Sequence, residues 1–427
     1  MLTVAYLANL FPASVEPYVG DEIEELCKRG VRVVVGSIRR SDESIAATIK
    51  PEIVLQGANW RILLAASRLC VWKWRRIVPL IVHVLFRGSE GLFPRLKALV
   101  HTFLGACYAV LLRQRGVDHI HVHHGYFGSW VAMTAARLLG VGFSMSLHGS
   151  DLLQHSVFLD VKLESCKFCL TVSEYNRRYI LERYPHLGSE KVLVSRLGVN
   201  VPEDVPAKRG SDREIFTMLA VGRLHKVKDH AFLVRACAQL AARGVQFECM
   251  IAGDGPEQNR LRALIYRERL DRHVTLLGHV PREQMDSLYD RADVVVLTSR
   301  SEGIPLVLME AMARGKVVLA PAITGIPELV VAGQTGFLYQ PGSQDEFVDR
   351  LIFIRALMRA NFEAGEQNPH LLSAARQLDW VRHAGRAHVR QCFNRRRSLR
   401  LFGDMFLLRV AAQNESIPDE NLVLQQI

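Results

Sequence analysis

Residues 293–315 read Asp293-Val-Val-Val-Leu-Thr-Ser-Arg-Ser-Glu-Gly-Ile-Pro-Leu-Val-Leu-Met-Glu-Ala-Met-Ala-Arg-Gly315. The opening is short, apolar and β-branched, the pattern of a strand buried on both faces. Pro305 is preset for the first turn of a helix, and Gly315 is a natural stop at its far end. Strand, loop and helix in that order form a βα unit. Glu302 falls in its loop and Glu310 one to two turns inside its helix. The loop leaves the carboxyl end of a strand, which is where open α/β sheets bind ligands.

The same alternation extends in both directions. Residues 4–8, 31–38, 118–123, 143–147, 168–172 and 191–197 read as buried strands with helical stretches between most of them, and 215–221, 246–252, 274–277, 294–298, 317–321 and 336–338 form a second such series. Alternation of this kind predicts parallel sheets covered by helices on both faces. The fold class is therefore α/β: two Rossmann-like, doubly wound parallel-sheet domains facing across a cleft. Residues 1–200 make the first domain, the Pro-, Gly- and charge-rich residues 201–212 a linker, and 213–375 the second domain; 376–427 are helices, packing back on the first domain, and a tail.

A chain of 427 residues with 49% hydrophobic content can bury more than one core. Its first residues, Met1-Leu-Thr-Val-Ala-Tyr-Leu-Ala8, are apolar but lack a basic leader and a cleavage site, so they read as a strand. Eight scattered cysteines fit reduced thiols in a cytosol. Cys166 and Cys169, the one close pair, have no second pair at zinc spacing and read as small apolar residues entering a strand.

The net charge of +11 is concentrated. Residues 61–115 hold ten basic residues against Glu90 alone, together with aromatics such as Trp72, Trp74, Phe86 and Phe93. The longest uncharged run there, 98–112, is fifteen residues, against the roughly 20 that a spanning helix needs. Basic charge mixed with aromatics describes a segment lying on an anionic membrane face, at the inner side of the cell membrane. The competing reading is helices packed on the domain with Arg and Lys stems reaching solvent. No nucleic-acid motif accompanies the charge, so nucleic acid is the weaker competitor and is not expected as a partner.

Polar loops follow the strands of the second half. Gly222-Arg-Leu-His-Lys-Val-Lys228 places Arg223 and Lys228 across a turn, a planar fork of donors beside a compact charge, as a diphosphate requires. Gly253-Asp-Gly-Pro256 and Gly278-His279-Val280 let the backbone approach a flat base. Thr324-Gly-Ile-Pro-Glu328 opens a further helix whose amides form a second anion site. No Gly-x-Gly-x-x-Gly follows a strand, so a dinucleotide fingerprint is absent. In the first half, His148-Gly-Ser-Asp151 ends a strand, and its imidazole can donate to a sugar hydroxyl. His121 and His123 share one face of their strand. With no carboxylate beside them in sequence, they read as a surface lining the cleft rather than a metal site.

Taken in order, these motifs resemble the retaining glycosyltransferases of family 4, with the two-domain fold called GT-B. The resemblance spans most of the chain and is strongest from residue 222 to 342, through Gly222-Arg-Leu…Lys228, Gly253-Asp-Gly-Pro256, Ser301-Glu-Gly…Glu310-Ala-Met-Ala313 and Gly325-Ile-Pro-Glu-Leu329. The opening Asn9-Leu-Phe-Pro…Glu16 is similar to members that build bacterial exopolysaccharides. The resemblance implies roles. Glu310 holds the ribose hydroxyls, Glu302 contacts the donor sugar, and Arg223 with Lys228 binds the diphosphate. His148 faces the donor sugar. Gly222, Gly253, Gly278, His279 and Val280 line the nucleotide, and Gly303, Ile304, Pro305 and Leu306 complete the phosphate site at the helix start. Glu16, His121, His123 and Asp151 lie on the acceptor side.

The implied reaction moves a sugar from a UDP- or GDP-type donor to a saccharide acceptor, lipid-linked at the membrane surface, with retention and without metal or other cofactor. The absence of Asp-x-Asp spacing accords with that. Ser14-Val-Glu16-Pro17 replaces the Gly-Gly pair of such families, and Asp229 stands where many members carry Gly. Three rivals remain. A hydrolase could use two carboxylates, but eight helical residues rise about 12 Å, and it would leave the basic pair idle. A sugar-nucleotide epimerase shares the architecture and the donor, and a non-catalytic membrane partner would require a broken donor site.

Overall fold

A computed structural model describes residues 1–13, 16–40, 49–56, 59–88, 90–154, 157–203, 215–363 and 369–412. The chain divides into two compact units, one of residues 1–195 and 399–427, the other of residues 196–398. Most of the linker expected at 201–212 lies outside the described residues.

The first unit contains β1 (Thr3–Leu10), α1 (Pro17–Lys28), β2 (Arg32–Arg39), β3 (Ile53–Val54), α2 (Trp60–Trp72), α3 (Trp74–Val82), α4 (Leu92–Leu112), β4 (His119–His123), α5 (Phe127–Leu139), β5 (Gly142–Leu147), α6 (Ser150–Leu153), α7 (Leu159–Ser165), β6 (Phe168–Thr171), α8 (Glu174–Arg183) and β7 (Val192–Val194). Its sheet is parallel, ordered β3-β2-β1-β4-β5-β6-β7. The second contains β8 (Phe216–Val221), α9 (His230–Ala242), β9 (Phe247–Ala252), α10 (Gln258–Arg267), β10 (Val274–Gly278), α11 (Arg282–Arg291), β11 (Val294–Val296), α12 (Leu306–Ala313), β12 (Val317–Pro321), α13 (Ile326–Leu329), β13 (Phe337–Tyr339), α14 (Gln344–Glu363) and α15 (Pro369–Cys392). That sheet is also parallel, ordered β10-β9-β8-β11-β12-β13. A final helix, α16 (Arg395–Ala411), ends the described chain.

Each sheet reverses its strand order once, between β1 and β4 and between β8 and β11. A ligand crevice of such a sheet lies at the carboxyl ends of those strands. The alternation of side chains along β1 feeds two cores. Ala5 and Leu7 join the cluster built on α4 and α5, while Val4, Tyr6 and Ala8 face Phe402, Phe406 and Val410 of α16. Arg29, just past α1, binds Asp404 and donates to the Arg400 carbonyl at 2.9 Å.

Two boundaries differ from the sequence reading. The second unit extends to residue 398 instead of 375, because α15 packs along α14 and α12, and only the last helix joins the first unit. Helix α4 is 21 residues long, since Arg95 and Lys97 sit inside it. With its continuation to Arg115 it is the one helix among the described residues long and apolar enough to cross a membrane. It packs on α5 and α2, with 44% of its apolar window buried and its first turns, Leu92, Phe93 and Leu96, exposed.

Candidate active site

The loops leaving β8 and β11 are bolted together at the switch point of the second sheet. Arg300 N–H donates to the Val227 carbonyl at 2.8 Å, and the Thr298 hydroxyl to the Lys228 carbonyl at 3.0 Å. Asp229 sits at a φ of 45°, a left-handed position where Gly is the cheap choice. Its carboxylate is used twice, capping α9 at Phe232 N–H and accepting from Arg300 Nε at 2.8 Å. This frame brings Lys228 Nζ to 2.5 Å from Glu302 Oε1, with the two side chains 20% and 11% exposed. The neighbouring Arg223 is exposed and makes no ion pair among the described residues.

Helix α12 begins at Leu306, with Pro305 as its N-cap instead of its first turn, and no side chain caps it. Its leading amides around Leu306 therefore face outward as donors backed by the helix dipole. Gly315, at a φ of 65°, closes the far end as expected. The Glu302 carbonyl accepts from the Thr324 hydroxyl at 2.6 Å, and Gly325 packs so tightly that a Cβ would lie 2.4 Å from the Gly303 carbonyl. Ile304 is buried, anchoring the loop.

Glu310 has a different partner from Glu302. Its Oε2 accepts from the Tyr289 hydroxyl of α11 at 2.8 Å. Burial, and then the Glu310 charge, raise the Tyr289 pKa well above its ordinary value, so the hydroxyl remains a donor. Tyr289 is absent from the sequence reading. Its signal is a tyrosine beside Leu288 on the buried face of a short polar helix.

Backbone packing shapes two further expected sites. Gly253, at a φ of 146°, and Gly255, at 155°, lie against the backbone of the β8 loop, where a Cβ would come within 2.0 Å of the Gly222 carbonyl and 2.5 Å of the Leu224 carbonyl. These glycines serve loop packing. Gly278, at a φ of 70°, receives the Gly253 N–H on its carbonyl at 2.8 Å, with His279 exposed and Val280 half-buried beside it. At Thr324–Glu328, expected to form a second anion site, the Ile326 and Glu328 N–H groups donate to the Ile323 and Gly325 carbonyls, and Pro327 has no N–H to offer.

In the first unit the expected acceptor-side residues are mostly interior. Asp151 is fully buried, and its carboxylate accepts from the amides of Gly125, His148 and Gly149 at 3.0, 3.1 and 2.8 Å. It holds two loops together rather than facing a substrate. His124 lies 3.5 Å from Asp151 and 2.9 Å from Glu16 Oε1. Burial opposes its charge, but Asp151 and Glu16 outweigh that and raise its pKa to about 10.

His121 and His123 do share a face, but both rings are fully buried, His121 against Phe406 of α16 and His123 against Tyr18 and Glu22 of α1. His121 bonds Ser144 and Ser146 at 2.7 and 3.1 Å. His123 links His148, at 2.9 Å, to Glu22 of α1, at 3.0 Å, with Tyr6 donating to the same carboxylate. Burial, then the charge on His124, lowers the His148 pKa well below its usual value and keeps the ring neutral. A carboxylate therefore does neighbour these histidines, against the sequence reading. Glu22, His121 and His123 offer ligand atoms within 4.8 Å of one another, each already engaged in hydrogen bonds. The missed signal was a glutamate on the apolar face Val19, Glu22, Ile23, Leu26.

Residues 15–202 match the family model described as Glycosyltransferase Family 4, and residues 203–362 match Glycosyl transferases group 1. WcaL of Salmonella typhimurium, a glycosyltransferase provisionally assigned to colanic acid biosynthesis, is 37% identical over 38% of this chain and 41% of its own length. The amylovoran biosynthesis glycosyltransferase AmsK of Erwinia amylovora is 29% identical over 56% of this chain and 61% of its own. The chain thus matches 41% and 61% of the lengths of these relatives. Among solved structures, sucrose-phosphate synthase of Thermosynechococcus elongatus superposes with a TM-score of 0.69 at 18% identity, covering 96% of this chain and 100% of that one. Anabaena HepE in complex with UDP gives 0.66 at 18%, covering 95% and 99%. The fold is that of the GT-B proteins. These matches give the epimerase reading no support.

Proposed function

With a family 4 region in its first half, a group 1 region in its second and the GT-B fold throughout, we propose that this chain is a retaining glycosyltransferase of exopolysaccharide synthesis. It moves a sugar from a nucleoside diphosphate donor to a saccharide acceptor. The observation that carries this reading is the Lys228–Glu302 pair at the β8/β11 switch point, with Arg223 exposed beside it and the uncapped start of α12 next to it.

The chemistry follows from charge. As the glycosidic bond to the donor breaks, negative charge accumulates on the leaving diphosphate. Lys228, Arg223 and the α12 amides stabilise it without reorganising. Glu302, freed from Lys228 by the diphosphate, turns its carboxylate to the sugar hydroxyls, and Glu310 accepts from the ribose. In the first unit, the neutral imidazole of His148 is available to hydrogen-bond a sugar hydroxyl. The acceptor attacks on the face that the diphosphate leaves, so no protein nucleophile is needed, and the reaction runs without metal.

A lipid-linked acceptor at the inner membrane face accords with the exposed Trp60, Trp72, Trp74, Phe86 and Phe93 among basic residues of the first unit. The test of the reading is a thermal-shift screen against UDP- and GDP-sugars followed by product analysis with oligosaccharide acceptors. A stabilising donor that transfers its sugar with retained anomeric configuration is expected. Stabilisation by no nucleotide sugar, or an altered nucleotide sugar released without acceptor, would refute it.

A further inference from the structure

Between α2 and the end of α4 the first unit carries a groove of about 590 Å³, within the usual range of small-ligand sites, roughly 300–1,000 Å³. Arg61, Arg68 and Arg113 stand around it, and Leu69 and Val110 lie among its lining residues. Trp60 and Trp72 line it too, 68% and 67% exposed. Arg61 lies over the Trp60 ring at 5.6 Å and Arg113 over the Trp72 ring at 5.6 Å.

None of the three arginines has an ion pair among the described residues, and each is exposed. Three guanidinium groups lining one groove without an ion-paired carboxylate present unused, fork-shaped donors for a phosphate. The apolar walls and indoles alongside suit hydrocarbon. A ligand that satisfies both is an amphiphile with an anionic head.

We propose that this groove binds the phosphate headgroup of an anionic lipid. Lys73 beside it supports the assignment. Its ammonium donates to the Leu138 carbonyl at 2.7 Å, and burial, then the charges of Arg76 and Arg113, push its pKa below the ordinary value. An anion among these groups relieves that repulsion. The surroundings add a second argument. Trp74 of α3, Phe86 just beyond it, and Phe93 and Val100 of α4 are also exposed, apolar surface of the kind that marks an interaction site. The groove gives the membrane contact proposed above, on which it rests, a specific lipid seat.

The experiment compares two triple variants of the full chain. Arg61→Gln/Arg68→Gln/Arg113→Gln empties the groove, and Arg75→Gln/Arg87→Gln/Lys97→Gln removes equal charge from exposed positions outside its lining. Each is co-sedimented with phosphatidylcholine vesicles with and without phosphatidylglycerol. Both variants lose the same diffuse attraction to a charged surface, so their difference reports the groove. The groove variant is expected to bind phosphatidylglycerol vesicles at least tenfold more weakly than the other. Dodecyl phosphate is expected to displace the wild-type protein, and inorganic phosphate at equal concentration to leave it bound. Equal losses in the two variants would overturn the groove while leaving membrane contact intact. Displacement by inorganic phosphate alone would overturn the lipid. Wild-type indifference to phosphatidylglycerol would remove the membrane reading itself.

Discussion

Replacing Lys228 by Met separates what the ion pair does for the fold from what it does for the reaction. The variant leaves the Glu302 carboxylate, 11% exposed, without its cation at 2.5 Å. An exposed pair contributes up to about 1 kcal/mol, and removing one partner of a fully buried pair costs about 3–5 kcal/mol. With side chains 20% and 11% exposed, the cost falls between these, about 2 kcal/mol. In a unit of this size each kcal/mol moves the melting temperature by about 2–4 °C, so a loss of about 4–8 °C is expected. Adding Glu302→Gln removes the stranded charge and restores the midpoint to within about 3 °C of wild type. Turnover behaves otherwise. If Lys228 stabilises the departing diphosphate, both the single and the double variant lose about 10²–10³ in rate. Differential scanning fluorimetry gives the midpoints, and release of nucleoside diphosphate from the donor found by thermal shift gives the rates. A double variant with wild-type turnover would refute the assignment, and an unshifted single variant would refute the energetic reasoning.

Tyr289→Phe deletes the hydroxyl that holds Glu310. A hydrogen bond to a charged group contributes about 1.5–3 kcal/mol, so affinity for UDP should fall at least about tenfold while affinity for 2′,3′-dideoxy-UDP stays unchanged; equal losses for both would mean the tyrosine is only structural. His124 sets a pH dependence. Its folded pKa of about 10 exceeds the unfolded 6.5, so its contribution is complete below 6.5 and fades as pH rises toward 10. Burial pushes Lys162 down to about 7, which tilts stability the opposite way over the same range and flattens the wild-type profile. The difference in urea stability between wild type and His124→Gln should therefore shrink by about 1.4 kcal/mol per pH unit between pH 7 and 9, and a constant difference would contradict the charge on His124. Gly253→Ala, at a φ of 146° and with a Cβ 2.0 Å from the Gly222 carbonyl, should destabilise by at least about 2 kcal/mol; an unchanged melting temperature would show that the loop can yield.

The central strands were legible because parallel strands covered on both sides are apolar runs, and 294–296 or 317–321 admit little else. Strand β3, two residues at a sheet edge, carries no such run. The misreading of His121 and His123 has a physical cause. Alternation tells which residues share a face, but not whether the face is covered, and its cover, Phe406, comes nearly three hundred residues later in the chain. Glu302 and Lys228 stood out as candidates because each lies in a βα loop after a readable strand. Tyr289 and Glu22 were not, since their significance lies in a partner reached through space.

The two sheets share one strand order, so their switch points can be compared residue for residue in kind. At β8/β11 an acid–base pair, Lys228–Glu302, stands beside an exposed arginine and an uncapped helix start. At β1/β4 the corresponding pair is Glu16–His124, and here Asp151, itself fully buried, takes the second nitrogen of the ring. The first arrangement leaves positive charge and amide donors unspent, as a phosphate requires. The second spends its charges internally and keeps His148 neutral beside them. On the proposed function, the diphosphate goes to the switch point of the second unit, whose charge is unspent, rather than to that of the first. The proposed division of labour between donor and acceptor rests on where each copy of one topology leaves its charge unpaired.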